Sequence, residues 1–194
     1  MKKLFFLVLL LSALLEYSDG LAQFKKMDTA LTSGNTGYRI RCSNSKNDAN
    51  EVNIKLIGFE KEARSGMNII LNGQMYLAMI DDLNNDNFPD LVLIGYSGPH
   101  FQYGTAYAFA SKENKSLMVF ASKDIMLDGK LKPGYRGHDQ FSLFEGSLIQ
   151  KFPIYSQEDT DDKPSGGTRV IQYQMTVSES GKAYFKMLRT FDEK

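Results

Sequence analysis

No stretch of this chain keeps apolar residues at helical spacing over three turns; short alternating segments closed by turns recur instead. Tyr38 to Cys42 is the first, and Val52 to Phe59 then alternates apolar and polar with period two. Asn68 to Leu71 runs into Asn72-Gly73, a hairpin signal, with Gln74 to Ile80 as the return. Three more hairpins are expected around Ser111 to Lys115, Glu145-Gly146 and Glu179 to Gly181. Leu91 to Tyr96 is almost wholly apolar, as a central strand covered on both faces would be. Residues 23–37 are polar and weakly patterned, which suggests a loose lead-in, and Asp124 to Gly137 reads as irregular. About ten short strands with frequent turns predict an all-β fold, a single-domain antiparallel β-sandwich or barrel-like sheet. No sequence repeat or linker divides it.

The most distinctive block runs from Met75 to Gly95, two apolar strands joined by an oxygen-rich loop. Asp82, Asn84, Asp86 and Asp90 fall at relative positions 1, 3, 5 and 9, and Phe88 at position 7 could offer its carbonyl. Alternating oxygen donors suit a structural calcium ion. Two carboxylates about 4 Å apart repel by roughly 4 kcal/mol at an effective dielectric near 20, and a divalent ion would cancel that. The EF-hand pattern is not met, since position 6 is Asn87 and position 12 is Leu93. The other reading is a polar turn whose Asp and Asn side chains bond their own backbone, with Pro89 setting the return strand.

Met1-Lys-Lys3 followed by the apolar run Leu4 to Leu15, with small residues at Gly20 and Ala22, predicts a secretory signal peptide over 1–22. The remainder is then periplasmic or secreted and carries no transmembrane segment. Lys and Arg number 23 and Asp and Glu 23, so no basic excess favours nucleic acid. Cys42 is the only cysteine, which excludes an internal disulfide. It is either a buried small residue or a thiol able to join two copies in a homodimer.

Gly95 to Gly104 is rich in Gly and Tyr and carries Ser97 and His100. Such a loop on a rigid sheet suits recognition, the alternative being a connection that covers the core edge. His138 beside Asp139 invites a hydrolytic reading, but neighbours on a strand point to opposite faces and pair poorly. Ser165-Gly-Gly167 reads as an anion nest or a turn before a strand. Glu158, Asp159, Asp161 and Asp162 either steer a basic partner or form a solvated loop.

The Asp-x-Asn-x-Asp-x-x-x-Asp loop by itself resembles that of FG-GAP-type secreted β-proteins. Its order, with the strand that follows, Ser97-Gly98 and Tyr107-Ala-Phe109, resembles the secreted periplasmic inhibitors of invertebrate-type lysozyme. Gly137-His-Asp-x-Phe141 and Pro164-Ser-Gly-Gly-Thr-Arg169 are similar to segments of longer relatives of that family. The resemblance spans about Asn53 to Val177 and implies a non-catalytic β-sandwich. A Ser-Gly loop with a nearby tyrosine would enter the cleft of a lysozyme and bond its carboxylates. Ser97, Gly98, His100 and Tyr103 are the contacts so implied, although four residues separate Gly98 from Tyr103 where the family's tyrosine sits close. The competing expectations are a calcium-stabilised cell-surface adhesion or glycan-binding module, and a hydrolase using His138 and Asp139.

Overall fold

The computed structural model describes residues 24–60 and 66–194. The expected leader over 1–22 lies outside them, and no described helix is long and apolar enough to cross a membrane. The fold is all-β, in three antiparallel four-stranded sheets, each a simple meander of consecutive strands. The first sheet is β1 (Met27–Ser33), β2 (Thr36–Cys42), β3 (Ala49–Ile57) and β4 (Met67–Asn72). The second is β5 (Gln74–Asp81), β6 (Asp90–Ser97), β7 (Tyr103–Lys112) and β8 (Ser116–Ala121). The third is β9 (Gln140–Phe144), β10 (Ser147–Pro153), β11 (Thr168–Val177) and β12 (Ala183–Glu193).

The second sheet is the middle layer. Leu91, Leu93 and Phe109 pack with Tyr38, Ile40, Val52 and Ile54 of the first sheet. Val92, Ile94, Ala106 and Ala108 pack with Leu148, Phe152, Ile171 and Met175 of the third. Successive residues of a strand point to opposite faces, so β6 has to be apolar at every position from Leu91 to Ile94 to serve both cores. Its sequence carried that expectation, and the structure meets it. The first sheet has one buried face only: Arg39 and Arg41 on its outer side reach Asp28 at 3.0 and 3.2 Å.

Two expectations are corrected. The loose lead-in is partly β1, where Met27, Thr29 and Leu31 alternate against β2 in a register running from Met27↔Cys42 to Ser33↔Thr36. Its alternation is masked by threonines, which suit strands as well as turns. Asn72-Gly73 is not a hairpin turn either. β4 pairs with β3 and β5 with β6, so this dipeptide carries the chain from the first sheet to the second. Gly73 takes φ +80°, and a Cβ there would lie 1.9 Å from the Tyr96 carbonyl oxygen. The Asn50 side-chain amide donates to the Gly73 carbonyl at 2.8 Å, closing the crossing. Asn-Gly supplies a positive φ wherever the chain must turn sharply, and a crossover needs one as much as a hairpin.

Cys42 is buried in the first core, within 3.2 Å of the Asn44 amide oxygen. Burial pushes its thiol up from the ordinary range, which keeps it protonated and unreactive.

Candidate functional site

The β6–β7 hairpin is paired up to Ser97↔Tyr103, leaving Gly98 to Gln102 as its tip. The Phe101 amide donates to the Gly98 carbonyl at 3.1 Å, and the His100 amide to the Gln102 side-chain oxygen at 3.0 Å. The His138 amide reaches across to the Gln102 carbonyl at 2.6 Å and ties the tip to the third sheet's lead-in. Gly98 stands at φ +92°, and a Cβ there would meet Tyr103 Cδ2 at 2.7 Å, so glycine is required at this position. Gly98, Pro99 and His100 are exposed. Ser97 and Tyr103 face each other half-buried at the base, the serine hydroxyl 3.5 Å from the Tyr103 carbonyl. That distance is at the limit of a hydrogen bond, so the hydroxyl is weakly held. The Tyr103 ring leans on Tyr135, centroids 6.1 Å apart.

The oxygen-rich loop closes on its own backbone. Asp82 accepts from the Asp86 and Asn87 amides at 3.0 and 2.8 Å. Asn84 accepts from the Asp86 amide, and Asp86 accepts from the Phe88 amide and the Asn84 side chain. Asp90 is fully buried and accepts from Leu83 and Ser111 amides at 2.9 and 2.8 Å. Burial pushes its carboxyl up to about 7, and the Asp86 and Asp82 carboxylates add to the rise. Each carboxylate oxygen already takes an N–H, and no group of three or more His, Cys, Asp or Glu side chains converges among the described residues. These bonds close the loop as a polar turn; each carboxylate oxygen keeps a second lone pair, so the bonds by themselves do not decide against a cation.

His138 and Asp139 part company, in an irregular segment just before β9. His138 is exposed at φ +61°, its ring tilted against Tyr155, while Asp139 is 3% exposed. Asp139 accepts from the Tyr135 hydroxyl at 2.6 Å, the Gln150 amide at 2.7 Å and the Gly104 amide at 2.8 Å. Burial raises its pKa although all three donors pull it down. The acidic loop is likewise tied to itself: Asp159 accepts from Ser156 and Ser165 amides, which hold it at about 2. With the Ser165 amide given to Asp159 and the Gly166 amide to the Ile154 carbonyl, the glycine turn is a turn and not an open nest.

Sequence reasoning missed an aromatic cluster beside the hairpin. Phe24 stacks on Tyr96 at 6.2 Å and meets Tyr76 and Phe101 edge-on at 5.7 and 5.3 Å. Nothing local marks Phe24 or Tyr76, because the rings of the cluster come from segments far apart in the chain. Comparison with protein families, curated proteins and solved structures gave no match.

Proposed function

We propose that the chain is a secreted, non-catalytic inhibitor of a bacteriolytic lysozyme, acting by insertion of the β6–β7 hairpin into the enzyme's cleft. The observation that supports this is the bracing of the tip. Three hydrogen bonds within and across Gly98 to Gln102 fix its shape before any partner arrives. A tip already ordered gives up little conformational entropy on binding. Gly98, Pro99 and His100 meet the partner first, and the weakly held Ser97 hydroxyl lies behind them. Tyr103 supports the hairpin through Tyr135. A retaining glycosidase holds two carboxyl groups about 5 Å apart, so hydroxyl and imidazole donors placed between them would exclude substrate without any chemistry.

The test is a bacterial-cell lysis assay with one lysozyme of each major class, with and without the purified protein. Inhibition of at least one class is expected. Ser97→Ala with His100→Ala should weaken it at least tenfold while leaving the melting temperature unchanged. A double variant as inhibitory as the parent removes the hairpin from the interface.

A further inference from the structure

Both histidines of the chain, His100 from the hairpin tip and His138 from the segment before β9, line one groove of about 570 Å³. That volume lies within the roughly 300–1,000 Å³ of small-ligand sites. Its wall is the aromatic cluster, and three features make this wall a platform and not an outlying piece of core. Tyr76 is 57% exposed, so its ring is presented to the groove and not packed away. It is also the residue at which the β5–β6 register slips, since Met75 pairs with Gly95 and Leu77 with Ile94. A bulge of this kind leaves one residue unpaired and re-aims its side chain. Finally, Tyr96 beside it is fixed: its hydroxyl donates to the Asp139 carbonyl at 2.5 Å, while the Asp139 carboxylate is held from three sides.

The charge of the groove narrows the ligand. Among the described residues no lysine or arginine lines it, and the one carboxylate that does, Asp139, is buried with its oxygens already bonded. The remaining polar groups are imidazoles, amides and tyrosine hydroxyls. Gln140 is exposed and its side chain makes no hydrogen bond among the described residues; the His100 imidazole is likewise unengaged. The groove therefore offers flat apolar faces bordered by hydrogen-bond donors and acceptors. A pyranose ring matches this: its C–H face is apolar and slightly positive, complementary to the negative face of an aromatic ring, and its hydroxyls point outward to the rim.

We infer that the groove between the β6–β7 hairpin, β5 and the start of β9 is a binding site for neutral oligosaccharides, with Tyr76 as its stacking platform and Gln140 and His100 as rim partners. This site is independent of whether the hairpin inhibits a lysozyme. Phe24 meets the platform ring edge-to-face at 5.7 Å, and the Tyr96 ring beside it is held by its hydrogen bond to the Asp139 carbonyl.

The experiment is calorimetric titration of the purified protein with tri-N-acetylchitotriose and with cellotriose, no lysozyme being present. Saturable binding of the neutral trimers is expected. Tyr76→Ala should weaken it at least tenfold and Tyr76→Phe should keep it, because the ring and not the hydroxyl does the stacking. Gln140→Ala, at an exposed position with no internal bond to lose, should weaken binding severalfold with an unchanged melting temperature. Absence of saturable binding to either trimer overturns the inference, and so does a folded Tyr76→Ala protein that binds as the parent does. Lysozyme inhibition persisting in that case would leave the hairpin proposal standing on its own.

Discussion

The two faces of the central sheet are built differently. Toward the first sheet it meets an apolar interface, with Leu91, Leu93 and Phe109 against Tyr38, Ile40 and Ile54. Toward the third sheet it uses small residues, Ala106, Ala108 and Ala110, and the space they leave admits Tyr135, Tyr173 and a buried polar network. In that network the Tyr173 hydroxyl donates to Gln150, Gln150 to Asp139, and Tyr135 to Asp139. The apolar face settles which strands stack. The polar face settles where an irregular segment lies, because Tyr135 and Asp139 flank His138 and anchor it beside the hairpin. Hydrogen bonds are directional, whereas apolar contact is not, so an irregular segment carrying a site is better located by the former.

The comparison breaks most visibly on the apolar side. Phe109→Ala should cost about 3–5 kcal/mol in urea denaturation, by lost burial plus the cavity left behind. On the polar side, Asp139→Ala should cost about 3 kcal/mol, since it strands three buried donors at once. The two should differ in kind as well: only Asp139→Ala should also abolish binding at the groove, because it releases the segment carrying His138 and Gln140. Equal loss of groove binding in a still-folded Phe109→Ala protein would show that the two faces are not separable.

A smaller effect concerns the second buried carboxyl. Folded Asp90 titrates near 7, whereas unfolded it returns to about 3.9. Between those values the folded chain holds a proton that the unfolded chain lacks. The contribution of this group to stability therefore falls as pH rises from about 4 to about 7 and is level above that. Urea melts at pH 5 and pH 8 should show the decline in the parent, and Asp90→Asn should lack it. The smallest expected effect is that of calcium. A loop closed by its own amides predicts the same melting temperature in calcium and in chelator, and a rise with calcium would support a structural ion at the loop.

Much of the fold was legible in the sequence where a local pattern matched a local structure. The β7–β8, β9–β10 and β11–β12 hairpins follow from turn residues between period-two segments, and the doubly covered β6 from its unbroken apolar run. β1 was hidden because threonine and serine serve strands and turns alike. The site was legible in one half only. The glycine-rich tip announced itself, since Gly98 at positive φ is a local requirement. Tyr76 did not, because inside Met75-Tyr-Leu77 it reads as one more core residue until the bulge turns it outward.

The sequence alone determined the all-β class, the position of most turns and the strand that would lie in the middle, because backbone conformation and side-chain alternation are properties of neighbours in the chain. Tertiary structure decided that Asn72-Gly73 passes between sheets, that Asp139 is a buried hub while His138 beside it is exposed, and that Phe24, Tyr76 and Tyr96 share one wall. Those facts depend on which sheet covers which face, and that choice is made by burial and hydrogen bonding between residues far apart in the chain.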